Sequence, residues 1–180
     1  MTRYSRVARS LTALAILLAA APAAAQPAAA ATTSAPASTP EGLVADLYKA
    51  VSWKAGEGAD WAKVRSLFFP NAVIFLRTSR TASSAFTVEG FIDDFVSFAN
   101  RDEVKKNGFG ERILTMKPMV FRDIAQILVL YEAQIPGSLR APQQGVDLFQ
   151  LVKADGRWWI LGIANDIVTA ENPVPPALRN

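Results

Sequence analysis

Residues 147–168 read DLFQLVKADGRWWILGIANDIV, and the way this stretch pairs with itself decides the fold. Asp155-Gly156 is a dipeptide suited to a two-residue type I′ turn, in which both central residues take a positive φ. Counting outward pairs Ala154 with Arg157 and Lys153 with Trp158. Side chains alternate across a strand, so one flank of the hairpin carries Trp158, Leu151, Ile160 and Phe149. The other carries Val152, Trp159, Leu161, Leu148, Ile163 and Val146. A strand with one wet face would alternate apolar with polar. This hairpin is apolar on both flanks, so each needs a cover.

Upstream residues supply one cover. Thr39-Pro40-Glu41 opens a helix, with Thr as N-cap, Pro in the first turn and an acid at the positive end of the dipole. Leu43, Val44, Leu47, Tyr48 and Val51 give it a single apolar stripe. Asp60 caps a second, short helix with Trp61, Val64, Leu67 and Phe68 along one side. Pro70-Asn71 reads as a turn before a first strand over Val73 to Arg77, and Thr78 to Ser84 as a polar loop. Thr87 starts a third helix, whose Val88, Phe91, Ile92, Phe95, Phe98 and Ala99 share one face. After Asn107-Gly108 the pattern is strands only: Glu111 to Phe121 with an irregularity at Pro118, Ala125 to Ile135, Val146 to Lys153, and Arg157 to Thr169. The expected fold class is α+β, with three N-terminal helices on one face of a curved, mostly antiparallel sheet. No element is left to cover the second face, so the expectation is a homodimer formed sheet to sheet, with an edge loop such as Pro136 to Gln144 folding over the face as the alternative.

Composition bounds the function. The first 25 residues hold three arginines, an apolar run from Leu11 to Ala21 and Ala23-Ala24-Ala25, the pattern of a secretory signal peptide. The apolar run is too short for a spanning helix, so the expected location is periplasmic or secreted, without stable membrane insertion after cleavage. Residues 26–38, nearly all Ala, Pro, Thr and Ser, read as a disordered tether. The domain is expected over 39–170, with an extended tail over 171–180. The chain carries 19 Lys+Arg against 16 Asp+Glu, but Arg3, Arg6 and Arg9 would leave with the signal, giving a formally neutral mature chain. That balance gives no support to nucleic-acid binding. With no Cys and no His, disulfides, Ser-His-Asp and Cys-His nucleophiles and imidazole-based zinc sites are excluded, and neither a metal nor a cofactor is expected.

Three stretches in order resemble the nuclear transport factor 2-like superfamily, the cone-shaped, cystatin-like roll shared with ketosteroid isomerase, scytalone dehydratase and the polyketide cyclases. They are Thr39-Pro40-Glu41 through Tyr48-Lys49-Ala50 to Asp60 and Leu67-Phe68-Phe69-Pro70-Asn71-Ala72-Val73; Phe149-Gln150-Leu151-Val152 before the turn; and Trp159 to Ala164 running into Asn165-Asp166-Ile167-Val168. The resemblance implies a conical pocket but no single activity. Ketosteroid isomerase uses an Asp base with a Tyr and a protonated Asp as oxyanion donors. Laid on that pattern, Tyr48 falls near the tyrosine, while the base falls on Leu76 and the second donor on Leu148. Leucine transfers no protons, so the isomerase mechanism is not expected.

The same comparison implies a pocket lined by Val146, Leu148, Gln150, Leu161, Ile163 and Asn165, with Trp158, Ile160, Phe149 and Leu151 facing the dimer. The leading expectation is an exported protein that holds a small apolar or aromatic molecule, with Tyr48, Gln150, Leu161, Ile163 and Asn165 as contacts. The alternatives are a cofactor-independent lyase or isomerase of the polyketide-cyclase type, with Tyr48 as proton donor and Glu132 as base, and a protein-interaction module with a filled cone. The direction of Glu132 and of its neighbour Tyr131 depends on whether Pro118 shifts the register. Asp147 and Asp166 fall on the outer flank, as rim or dimer charges.

Overall fold

The computed structural model describes residues 37–79 and 81–179; the expected signal segment, 1–25, and residues 26–36 of the expected tether lie outside them. Helix α1 (Pro40–Ala50) starts where Thr39 accepts a hydrogen bond from the Gly42 N–H, and α2 (Trp61–Leu67) where Asp60 accepts from Lys63. Helix α3 (Val88–Ala99) starts where Thr87 accepts from Gly90. Each cap satisfies an amide that the first helical turn leaves open. A short fourth helix, α4 (Asp102–Asn107), follows at once and carries no side-chain cap bond.

The strands are β1 (Trp53–Lys54), β2 (Phe68–Arg77), β3 (Ser83–Phe86), β4 (Gly108–Phe121), β5 (Ile124–Gln134), β6 (Gln143–Ala154) and β7 (Arg157–Ile167). They form one sheet in the order β1-β4-β5-β6-β7-β2-β3. All neighbours are antiparallel except β2 and β7. The α+β reading therefore holds, with differences in detail. Pro70-Asn71 is not a turn but sits inside β2, where the pairing with β7 shifts between Phe68 and Val73. Part of the expected polar loop is β3. The irregularity expected at Pro118 lies instead between Ile113 and Thr115, and Pro118 pairs in register with Ile127.

The decisive departure is in the hairpin that opened the reading. Asp155 (φ 52°) and Gly156 (φ 77°) make the expected turn, and Leu151 pairs with Ile160 as counted. Gln150, however, pairs with Gly162, so Leu161 is an extra residue in a β-bulge. Beyond it every β7 side chain changes flank: Ile163 pairs with Phe149 and Asn165 with Asp147. The helices pack on the flank that bears Phe149, Leu151, Trp158, Ile160 and Ile163, all buried in the main core with Leu43, Val44, Leu47, Ile74 and Phe91. The expected assignment of flanks is thus reversed. Phe149, Leu151, Trp158 and Ile160 do not face outward, and Gln150 and Leu161 are exposed on the outer face.

The chain itself covers part of that outer face. Residues beyond β7 do not stay extended: Pro176–Leu178 forms a 3-10 turn, and Leu178 is buried. It shares a hollow with Leu114 and Leu130, and Leu130 is buried although it faces away from the main core. The far end of the face, at the β4–β5 hairpin, stays uncovered, with Met119 70% and Phe121 71% exposed.

Candidate functional site

Between the helices and the inner face of the sheet lies a cavity of about 400 Å³. Its walls are mostly apolar and aromatic: Leu47, Val51, Leu76 and Ile163 together with Phe91, Phe95, Phe98 and Phe109. Tyr48, Glu111, Tyr131, Asp147 and Asn165 gather where α1, β4, β5, β6 and β7 meet, and Arg77, Thr78, Asp94, Ser97 and Arg101 line the cavity from the end of β2 and from α3 onward. Asp147 and Tyr131 face inward by plain alternation with the buried Phe149 and Val129 of their own strands, and the Leu161 bulge turns Ile163 and Asn165 of β7 to join them.

Asp147 is the hub. The Tyr48 hydroxyl donates to its Oδ2 at 2.5 Å, and the Asn165 Nδ2 donates to its Oδ1 at 2.7 Å. Asn165 Nδ2 also donates to the Tyr131 hydroxyl oxygen at 3.0 Å, while Asn165 Oδ1 accepts from the Arg77 backbone N–H at 3.3 Å. One asparagine thereby ties the ends of β2, β5, β6 and β7 to the same carboxylate. Withdrawal from bulk water pushes Asp147 up, the bonds from Tyr48 and Asn165 pull it back, and the balance stands at about 6. Both tyrosines are pushed upward, chiefly by burial and then by the Asp147 charge, so their hydroxyls stay protonated donors.

Glu111 differs because its carboxyl has no hydrogen-bond or ion-pair partner among the described residues. Its backbone is fixed instead: the Glu111 N–H donates to Ser52 Oγ at 2.9 Å, and that hydroxyl donates to the Tyr48 carbonyl at 2.8 Å. Strand β4 is thus held against the end of α1, with the Glu111 side chain directed into the cavity. Glu111 and Asp147 keep some surface, but that surface fronts the cavity. Desolvation first, and the neighbouring Asp147 charge second, raise Glu111 to about 8.

Tyr131 reaches this site only because its partner across the β5–β6 pairing is Gly145. A Cβ on residue 145 would lie 2.4 Å from the Tyr131 hydroxyl oxygen and 2.5 Å from its Cζ, so the ring occupies the space of the missing side chain. Gly145→Ala is expected to displace the ring, break the Asn165–Tyr131 bond and cost about 2 kcal/mol by overpacking. Urea denaturation checks the cost. A variant as stable as the parent would mean that the ring moves freely.

The residues named from sequence divide cleanly. Tyr48, Ile163 and Asn165 line the cavity. Gln150 and Leu161 lie across the sheet, beside Met119 and Ile124. Tyr131 faces inward and Glu132 outward, where Arg112 binds it at 2.9 Å, so Glu132 is no base for this cavity. Asp166 is the rim charge it was expected to be, forked by Arg77. Asp147 is not a rim charge but the centre of the site, and Glu111 joins it without any mark in the sequence. Gly162, a glycine inside a strand, is the sequence signal that could have revealed the bulge.

No protein-family model and no curated protein sequence matches the chain. Solved structures do match. A nuclear transport factor 2-like protein of unknown function from Pseudomonas putida KT2440 has a TM-score of 0.57 at 8% identity, over 78% of this chain and 93% of that one. A protein with a cystatin-like fold from Nostoc punctiforme has a TM-score of 0.54 at 13% identity, over 76% and 90%. An uncharacterised cystatin-like protein from Caulobacter vibrioides has a TM-score of 0.51 at 12% identity, over 73% and 88%. At these identities the likeness speaks for the fold alone. The chain has the α+β, cystatin-like fold of the nuclear transport factor 2-like superfamily.

Proposed function

We propose that the chain is an exported binding protein that holds a small, largely apolar molecule in its cone, with the polar end of that molecule against Asp147 and Glu111. The observation that carries this reading is the unfilled cavity of about 400 Å³ with a carboxyl, Glu111, that has no partner among the described residues. A pocket of this size with apolar walls and a few convergent polar groups is the usual form of a small-molecule site. Against the filled-cone reading, the phenylalanines line the space rather than occupy it.

Native mass spectrometry of the protein from its own host tests the reading. A bound small molecule is expected, and it should be lost in Ile163→Trp, which fills the cavity. A bare chain mass in both would contradict it.

One observation favours a second reading, cofactor-independent proton transfer of the isomerase or lyase class. Two carboxyls in one cavity with proton affinities driven apart, about 6 and about 8, are suited to a base and an acid. Asp147 would take the proton and Glu111 give one, in the roles first sought in Glu132 and Tyr48. A turnover rate that climbs through pH about 6 and falls through about 8 would favour it over binding alone.

The uncovered outer face at Met119, Phe121, Ile124 and Leu161 supports the proposal that the partner is a second copy. Sedimentation at micromolar concentration tests this, with a dimer expected and a monomer contradicting it.

A further inference from the structure

The site holds negative charge without its counterpart. Among the described residues Asp147 receives two hydrogen bonds but no cation, and the Glu111 carboxyl receives neither. Two arginines, Arg77 and Arg101, also line the cavity, and neither forms an ion pair with Asp147 or Glu111. Arg77, at the cavity wall, is forked on Asp166, and Arg112 is held by Glu132. Arg101 lies over the Phe98 ring, 5.2 Å from its centroid. A carboxylate drawn away from water normally has a paired charge or a metal beside it. Among the described residues no group of three or more His, Cys, Asp or Glu side chains is placed to hold a metal ion.

We infer that the missing charge comes from the ligand: a small organic ammonium whose charged end meets Asp147 and Glu111 and whose ring or hydrocarbon body lies among Phe91, Phe95, Phe98 and Phe109. This rests on the pocket reading above and names the class of molecule that fills it. Three features favour a cation over the other classes. An anion would face Asp147 with no cation paired to it, since Arg77 is forked on Asp166 and Arg101 lies on the Phe98 ring. A neutral hydrogen-bond acceptor would engage the Glu111 proton but leave the Asp147 charge uncompensated. A cation answers both carboxyls, and the aromatic walls add to it, because the negative faces of Phe and Tyr rings attract positive charge.

The test uses three probes with one ring system: 1-naphthylmethylamine, 1-naphthylmethanol and 1-naphthoate. Their affinities for the full wild-type chain are compared by calorimetry at pH 7.5. The amine is expected to bind at least about tenfold more tightly than the alcohol, with the naphthoate weakest. In Asp147→Asn the preference for amine over alcohol should collapse while alcohol binding persists, and Glu111→Gln should reduce it in the same sense. Alcohol and amine binding equally to the wild-type chain, or the naphthoate binding best, would overturn the cation assignment and leave the pocket reading standing. If none of the three binds, the pocket reading itself falls and takes the assignment with it. The wild-type comparison decides the matter even if a variant does not fold.

Discussion

Glu111→Gln is expected to make the protein more stable above pH 8, by on the order of 4 kcal/mol, and to leave stability below pH 4.5 nearly unchanged. The sign follows from proton binding. In the unfolded chain Glu111 loses its proton near 4.5, and in the folded chain near 8. Between those values the native state holds a proton that the unfolded state has released, so stability falls as pH rises. Below the window both states are protonated; above it both are ionised, and the full cost of a desolvated carboxylate is present. Asp147 adds a slope of the same sign between 3.8 and about 6. Glutamine keeps the shape of the protonated acid but cannot ionise, so the decline between pH 6 and 8 should vanish. Urea denaturation at pH 5, 7 and 9 measures it. A variant less stable than the parent at pH 9 would mean that Glu111 gains from its charge and is not desolvated.

The second large effect concerns how β4 begins. Gly108 closes α4 and opens β4 with a φ of 79°, a conformation that costs any residue with a Cβ. A Cβ there would also lie 2.5 Å from the Trp53 carbonyl oxygen and 2.7 Å from the Lys54 carbonyl carbon. These are backbone atoms of β1, which pairs Lys54 with Gly108 and Trp53 with Phe109. A side-chain end could swing aside, but this backbone is pinned between α1 and the sheet. Gly108→Ala is therefore expected to cost about 3 kcal/mol. The small core of Trp53, Val104 and Phe109 should loosen with it, and Phe109 and Glu111, one and three residues along the strand, should lose their places in the cavity. Thermal unfolding gives the cost. A loss under about 0.5 kcal/mol, the level of an ordinary surface change, would mean that β1 is not held where it lies.

The sequence makes α1, α2 and α3 plain because their signals are local, whereas the short α4, without a side-chain cap, gives no such signal. Thr39, Asp60 and Thr87 each accept the capping bond their positions promise, and the apolar stripes behind them enter the core. The Asp155-Gly156 turn is equally local. Sheet register is not, since it accumulates, and one extra residue reverses everything beyond it. Counting from the turn holds as far as Ile160, then fails at Leu161, which is as apolar as its neighbours and gives no sign of being surplus. Ile163 and Asn165 nevertheless line the cavity, because the reversal of the flanks and the bulge cancel for those two residues. Asp147 precedes any such cancellation on β6, so the same count set it outside. Glu111 stands at the start of a strand whose inner flank is apolar further along, and nothing near it in the sequence marks it as facing inward.

The central claim is that Asp147 faces inward, where the bulge brings Asn165 beside it, into a cavity it shares with a Glu111 carboxyl that has no partner among the described residues. A carbon-13 NMR titration of the side-chain carboxyls tests this most directly, with Glu111→Gln and Asp147→Asn used to assign the signals. Two carboxyls titrating far above the rest, near 6 and near 8, are the expected result. If every carboxyl in the folded protein titrates near its ordinary value of about 4, both groups are in water and the site described does not exist.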